Sequence, residues 1–494
     1  MLNDKMTTSN LTSSAENEEM DTFREITFIH LDLGIGGAEQ LVLQLAQASQ
    51  DLGYNVNIVT TRCDQDHCFA SVKAPEGNLC QSVCIYGNWI PANLGGTATA
   101  FCSTLRMLYL TWKVLTKHHS NSDIIVVDVL PTSLPLVLRY LPTAGILFYC
   151  HFPDKLLLRS SGSWLKRTYR KVLDGLEEYT MGLADTLVVN SRFTLEQTTT
   201  HFPSLRKKPM SVLYPALDTT NMVQANNRPK TKTSPIVSLN RFERKKNIGL
   251  LIQAYAYIRD TYCTTKESLP PLIIAGGYDT QNIENVEYRG ELQILVNQLG
   301  LQGSVVFRMD ISDAERTTLF QTALCVAYTP DKEHFGIVPL EAMYAGTPVI
   351  AVNSGGPLET VKDGLTGYLR DPTPEAFGDA IWSLLQNPKE LATNMGRTGR
   401  THVEETFGTK RFETEWNRLL METWDQKEKR RKQGQLTNGS SLVLWTNTIM
   451  YMVEACLALL LCILLTSIMR WLGVLGPTQS IFGVVRQSFA NEEL

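Results

Sequence analysis

Glu333-His334-Phe335-Gly336-Ile337-Val338-Pro339-Leu340-Glu341 is the stretch that decides the fold. Before it, Leu324-Cys325-Val326-Ala327-Tyr328 is an apolar run closed by Thr329 and Pro330, which reads as a buried strand. After it, Pro339 sits just inside a helix start and Gly346 just past its end, the usual asymmetry of helix termini. Glu333 therefore stands in a loop at the C-terminal end of a strand, and Glu341 lies within the following helix. Between them the amides around Phe335, Gly336 and Ile337 form an electropositive helix N-terminus suited to an anion. Ligands of open α/β sheets bind at this edge. Two carboxylates around a phosphate cradle suit a sugar nucleotide, because carboxylates hold hydroxyls and amides hold the diphosphate. A surface acid and a helix-stabilising acid would give the same spacing.

The neighbouring stretch repeats the device. Pro348–Asn353 is a second strand, and it runs into Ser354-Gly355-Gly356-Pro357-Leu358-Glu359, a Gly-rich turn with Pro at the first helical position. Glycines alone are explained as turn formers. Two adjacent strand–loop–helix units offering bare amides at one sheet edge are less easily explained that way.

Outward from there, strand and helix patterns alternate in two runs. The first takes the strands Ile26–Leu31, Asn55–Thr61, Asp123–Val129, Gly145–Cys150 and Asp185–Asn190. The second takes strands at Ile236–Asn240, Leu272–Gly276 and Val305–Met309, with helices at Ile248–Ile258, Glu291–Leu299 and Ala314–Ala323. Helices are also expected over Pro374–Leu385 and Phe412–Trp424. The expected fold is α/β: two doubly wound, Rossmann-like domains facing a cleft. The expected organisation is a disordered tail at 1–22, an acceptor-side domain at 23–217, a polar linker at 218–234 and a donor-binding domain at 235–411. A crossover helix and basic spacer (412–440), a membrane segment (441–472) and a tail (473–494) follow.

Chemistry gathers at strand ends. Gly34-Ile35-Gly36-Gly37 follows the first strand but is not G-x-G-x-x-G, since Ala38 and Glu39 follow directly and Glu39 stands where the third glycine would be. Gly36 and Gly37 let a main chain approach a diphosphate or an acceptor closely, or simply form a tight turn. Gly145–Cys150 delivers His151 to a sheet edge, where an imidazole can hydrogen-bond a sugar hydroxyl or move a proton. Asp154 is a candidate acceptor-side carboxylate. Lys166 and Arg167 belong to a basic amphipathic stretch that fits a lipid diphosphate, anionic lipid or plain solvent. Asn240-Arg241-Phe242-Glu243-Arg244-Lys245-Lys246-Asn247 puts Arg241 and Lys246 within reach of a diphosphate, a planar fork and a point charge.

Glu333 to Glu341 resembles the E-x7-E motif of the retaining glycosyltransferases of family four, which have the GT-B fold. Arg241 and Lys246 match that family's donor-phosphate pair. The resemblance covers roughly residues 25 to 425. Asp32-Leu33-Gly34-Ile35-Gly36-Gly37-Ala38-Glu39, Cys150-His151-Phe152-Pro153-Asp154 and Arg241–Asn247 bring it nearest to the mannosyltransferases that extend dolichyl-diphosphate oligosaccharides in asparagine-linked glycosylation. The resemblance implies transfer of mannose from GDP-mannose to Man1GlcNAc2-diphosphate-dolichol, forming α-1,3 and then α-1,6 linkages at the cytosolic face of the endoplasmic reticulum. It implies that Glu333 holds mannose hydroxyls, that Glu341 holds the ribose, and that His151 lies beside the donor sugar. It also implies Gly36, Gly37, Phe335, Gly336, Ile337, Gly355 and Gly356 around the donor, and other early-pathway glycosyltransferases as partners. A family-four transferase making glycosylphosphatidylinositol precursors, or a non-catalytic GT-B scaffold at a membrane, stays open beside it.

Composition sets outer bounds. The chain has 494 residues, is 43% hydrophobic and 19% charged, and carries a net charge of −4, which gives no sign of nucleic-acid binding. The ten cysteines form no dense framework. Cys63, Cys68, Cys80 and Cys84 with His67 lack paired-knuckle spacing, so reduced thiols fit better than zinc, and no metal is expected in catalysis. Phe101–Lys113 fits either a core helix or an interfacial one with Arg106 and Trp112 at headgroup level. Ile449–Met469 is long enough to span a bilayer, although Glu454 interrupts it, and a shallow embedding is the alternative. The basic run Lys427–Lys432 before it would stay cytosolic.

Overall fold

The computed structural model describes residues 25–93, 99–116, 122–157, 164–217, 219, 230–263 and 269–436. The expected tails, most of the linker and the membrane segment at 441–472 lie outside the described residues. No described helix is long and apolar enough to cross a membrane.

The N-terminal run contains seven strands: β1 (Glu25–Ile29), β2 (Asn55–Thr60), β3 (Val83–Ile85), β4 (Ile124–Asp128), β5 (Gly145–Cys150), β6 (Thr186–Val189) and β7 (Met210–Val212). Between them come α1 (Gly37–Asp51), α2 (Thr99–Thr116), α3 (Leu134–Tyr140), α4 (Asp154–Leu157), α5 (Trp164–Gly182) and α6 (Arg192–His201). The C-terminal run begins with β8 (Ile236–Leu239), α7 (Ile248–Tyr262), β9 (Leu272–Gly276), α8 (Ile283–Gln298), β10 (Val305–Met309), α9 (Asp313–Thr322) and β11 (Cys325–Tyr328). It continues through α10 (Ile337–Tyr344), β12 (Val349–Val352), α11 (Pro357–Thr360), β13 (Gly367–Arg370), α12 (Pro374–Gln386), α13 (Thr393–Phe407) and α14 (Thr409–Leu436).

The strands form two all-parallel sheets, ordered β3-β2-β1-β4-β5-β6-β7 and β10-β9-β8-β11-β12-β13. Strands such as Ile124–Val127 and Cys325–Tyr328 are apolar without alternation because helices bury both faces of each sheet. In the first sheet α1 covers one face, with Leu41 and Leu45 on Ile26 and Phe28. Met107 and Leu110 of α2 and Val137 of α3 cover the other. Phe412, Trp416, Leu419 and Leu420 of α14 enter the α1 side of this core. There the Trp416 indole donates to Ser49 Oγ at 2.8 Å. The order reverses between β1 and β4 and between β8 and β11, and loops after these strands open towards a shared crevice.

Several elements differ from the pattern reading, β3 and β7 among them, and three do so for a clear local reason. Helix α8 starts at Ile283 because Asn282 caps it, although Ile283 and Val286 point outward and give no apolar signal. Helix α13 is obscured by Gly396, where a Cβ would lie 2.0 Å from the Gly346 carbonyl. Gly367 starts the unexpected strand β13 and faces the Val349 carbonyl just as closely. Arg106 does not reach outward to headgroup level. It is buried in α2 and donates to Asp32 and Thr61, while Trp112 on the same helix is exposed.

Candidate active site

On the C-terminal side, β8 ends at Leu239 and hands the chain to Asn240 and Arg241. A short turn, Arg244–Lys246, then carries Lys246 back under the end of β11. Thr329 Oγ1 donates to the Lys246 carbonyl at 2.7 Å and fixes that return. Lys246 Nζ donates to Glu333 Oε2 at 2.5 Å. Burial pushes the Glu333 carboxyl up, but Lys246 more than offsets it and holds the group below the ordinary glutamate range. Arg241 is two-thirds exposed, and its guanidinium lies 3.2 Å from Glu243.

Glu341 sits deeper. It is 6% exposed in α10, its Oε1 accepts from Arg316 of α9, and its Oε2 has no partner among the described residues. Burial raises its pKa despite Arg316. A buried carboxylate oxygen without a donor is costly unless something brings one.

On the N-terminal side, His151 follows β5, and its Nε2 lies 2.9 Å from Asp128 Oδ2 at the end of β4. The same carboxylate holds His30, which follows β1: His30 Nδ1 is 2.8 and 2.9 Å from its two oxygens. Gly37 opens α1, and a Cβ built on it would meet no protein atom within 4 Å.

The two sides are in direct contact. Phe152 stacks on His334 with ring centroids 3.6 Å apart and planes 10° from parallel. Ser191 Oγ donates to the His334 carbonyl at 2.6 Å. Glu359 of α11 accepts from the amides of Arg192 and Phe193 at the start of α6, at 2.9 and 2.8 Å, and from the Tyr214 hydroxyl at 2.8 Å. His334 is pushed down to about 4 by burial, so its ring is neutral in this stack.

A cavity of about 390 Å³ lies between the domains. Gly37, His151, Arg241, Lys246, Glu333, Phe335, Gly336 and Ile337 line it together. Other candidates lie elsewhere. Gly36 precedes α1 with its backbone beside the Glu39 carboxylate, and it is not part of the lining. Glu341 is likewise not among the lining residues.

The Gly356 amide is not a free donor towards a diphosphate. The Gly356 amide donates to the Glu333 carbonyl at 2.7 Å. A Cβ on Gly355 would lie 2.4 Å from that same carbonyl, and one on Gly356 would lie 2.2 Å from the Phe335 carbonyl. This loop braces the Glu333 loop. Asp154 is not among the cavity-lining residues; it is paired with Arg170 at 3.0 Å, and its amide donates to Glu177. Arg167 is exposed on α5, and the Lys166 side chain lies outside the described residues.

Sequence reading missed Asp128, His30, Asn190, Tyr328 and Arg316. Four of these could have been found from one signal: they stand at or just past the C-terminal ends of β4, β1, β6 and β11, where open α/β sheets present ligand contacts. Arg316 has no such signal. No cluster of His, Cys, Asp and Glu among the described residues is arranged to hold a metal ion.

Comparisons with known proteins agree with this geometry. Residues 35–221 match the model for Glycosyltransferase Family 4, and residues 220–402 match that for Glycosyl transferases group 1. The chain is 42% identical over 395 residues to the alpha-1,3/1,6-mannosyltransferase ALG2 of Homo sapiens, covering 78% of this chain and 93% of that one. It is 38% identical over 427 residues to ALG2 of Rhizomucor pusillus, covering 80% and 91%. Its fold matches sucrose-phosphate synthase from Thermosynechococcus elongatus with a TM-score of 0.63 at 22% identity, over 81% of this chain and 99% of that one. The architecture is GT-B.

Proposed function

The chain belongs to the ALG2 alpha-1,3/1,6-mannosyltransferases of glycosyltransferase family four, and from that premise we infer that it transfers mannose from GDP-mannose to Man1GlcNAc2-diphosphate-dolichol. An α-1,3 bond forms first and an α-1,6 bond second, in assembly of the lipid-linked oligosaccharide for asparagine-linked glycosylation. The catalytic domains face the cytosol at the endoplasmic reticulum membrane. The segment at 441–472 supplies the membrane contact, and the basic run before it stays on the cytosolic side.

The observation that carries this reading is the Lys246–Glu333 ion pair at the cavity wall beside the first amides of α10. In retaining transfer the mannose C1–O bond breaks with its electron pair going to GDP. The acceptor oxygen bonds to C1 on the same face, and its proton passes to the departing phosphate oxygen. The largest electrostatic demand is the charge growing on the diphosphate. Lys246, Arg241 and the amides of Gly336 and Ile337 meet that demand without a metal ion. Glu333, held ionised by Lys246, accepts hydrogen bonds from mannose hydroxyls. Glu341 Oε2, buried and lacking a donor, accepts one from the ribose. His151 faces the sugar from the other domain.

A donor panel tests the reading. Purified full-length protein given the lipid-linked acceptor with GDP-mannose, UDP-glucose or UDP-N-acetylglucosamine should turn over GDP-mannose alone. Turnover with a UDP-sugar and none with GDP-mannose would sink it.

A further inference from the structure

His30 is enclosed by acceptors. It is 2% exposed, Nδ1 faces both oxygens of Asp128, and Nε2 lies 2.9 Å from the Asp32 carbonyl. A carboxylate and a carbonyl both require a donor, so both ring nitrogens of His30 must carry hydrogen. That makes it an imidazolium. Burial works against the charge, but Asp128 outweighs it and raises His30 above the ordinary histidine range. Asp128 is correspondingly held well below the carboxylate range, against its own burial, by the two histidines.

We propose that His30 is a positioning residue: its buried positive charge neutralises Asp128, so that His151 donates Nε2–H to that carboxylate and presents Nδ1 unprotonated to the donor cavity. A lone buried carboxylate behind His151 would draw a second proton onto that ring. With His30 already supplying the compensating charge, Asp128 orients His151 without charging it. The neutral ring then accepts a hydrogen bond from a sugar hydroxyl, and an imidazolium could not. The arrangement also ties the cavity to the loop Asp32–Glu39, because the Asp32 carbonyl fixes the far side of His30.

Other charged groups face this chain of contacts. Glu39 of α1 adds negative potential at His30. Arg106 of α2 neutralises the Asp32 carboxylate. Tyr149 of β5 stays protonated, with burial raising it well above the phenol range, and its hydroxyl donates to the Leu213 carbonyl at 2.7 Å. Across the cavity, Lys246 and Glu333 form a neutral pair and His334 is uncharged. None of these replaces the charge on His30.

The inference rests on the transfer reading for its consequence, but the ring-nitrogen measurement needs no turnover. Nitrogen-15 spectra of histidine-labelled full-length protein at pH 7.5, assigned with His30→Gln and His151→Gln, should give two protonated nitrogens for His30. They should give one protonated and one bare nitrogen for His151. In His30→Gln the bare nitrogen of His151 should become protonated at the same pH. The acid limb of kcat/KM should move up by about one pH unit, with the loss mainly in kcat. A neutral His30 in the unaltered protein overturns the proposal even if His30→Gln fails to fold. An unshifted acid limb in a folded His30→Gln overturns it too. An unaltered protein that transfers no mannose would count against the functional reading instead, and the ring nitrogens would still decide this one.

Discussion

Lys246 and Glu333 meet at 2.5 Å although they lie 87 residues apart, one after β8 and the other after β11, the two strands on either side of the order reversal in the second sheet. The pair ties the residue proposed to receive diphosphate charge to the residue proposed to hold the sugar. Lys246→Met should therefore lower kcat by about 10²- to 10³-fold, as the loss of one preorganised electrostatic contact does. It should also cost about 1–3 kcal/mol in folding, because Glu333 stays three-quarters buried without its cation. Adding Glu333→Gln should recover part of that stability but none of the activity. Denaturant melts beside initial rates check both.

Gly37 and Gly356 should respond in opposite ways to alanine. At Gly37 nothing in the protein obstructs a Cβ, and alanine favours a helix start over glycine. Stability should hold or rise slightly while KM for the donor increases about tenfold, if the diphosphate lies against that backbone. At Gly356 a Cβ would press on the Phe335 carbonyl, and stability should fall by about 1–3 kcal/mol. Thermal melts and donor titrations of the two variants make the comparison.

Glu359 closes the crevice from the C-terminal side by accepting two amides of α6. Glu359→Ala removes that anion from the helix N-terminus and should loosen the domains. Small-angle scattering should give a larger radius of gyration, and KM for both substrates should rise about threefold to tenfold. An unchanged radius with unchanged KM would make the contact incidental.

Glu177 supplies a pH dependence. Burial pushes its carboxyl up to about 7, against the two amides of Asp154 and Lys155 that it accepts. A folded-state value above the unfolded one means that the folded protein holds the proton more tightly. The associated stability is present below about pH 4.5 and is lost as pH rises through 7, by about 3 kcal/mol at most. The melting temperature of the unaltered protein should fall relative to Glu177→Gln between pH 5 and 8, and match it more closely in acid.

Much of this molecule is written in local pattern. The buried parallel strands are apolar runs, and the Glu333 loop is bracketed by a strand and a Pro-marked helix start. What is not written locally depends on approach between distant segments. Gly355 and Gly356 read as phosphate amides, yet their service is to let one loop touch the Glu333 loop. Asp154 reads as a free acid until α5 brings Arg170 beside it. Arg106 reads as an interfacial cation until α2 packs against β1 and β2 and turns it inward towards Asp32. His30 and Asp128 are single polar residues at the ends of apolar strands, and only the pairing of β1 with β4 makes them a unit.

The most direct measurement of the central claim uses the full-length protein in liposomes with GDP-mannose and a synthetic lipid-diphosphate acceptor bearing one mannose on chitobiose, in the presence of EDTA. Products are read by mass and by linkage-specific mannosidases. The account predicts stepwise gain of two mannoses, α-1,3 and then α-1,6, undiminished by EDTA, and slowed about 10²- to 10³-fold in Lys246→Met. No gain of mannose from GDP-mannose on this acceptor would contradict it.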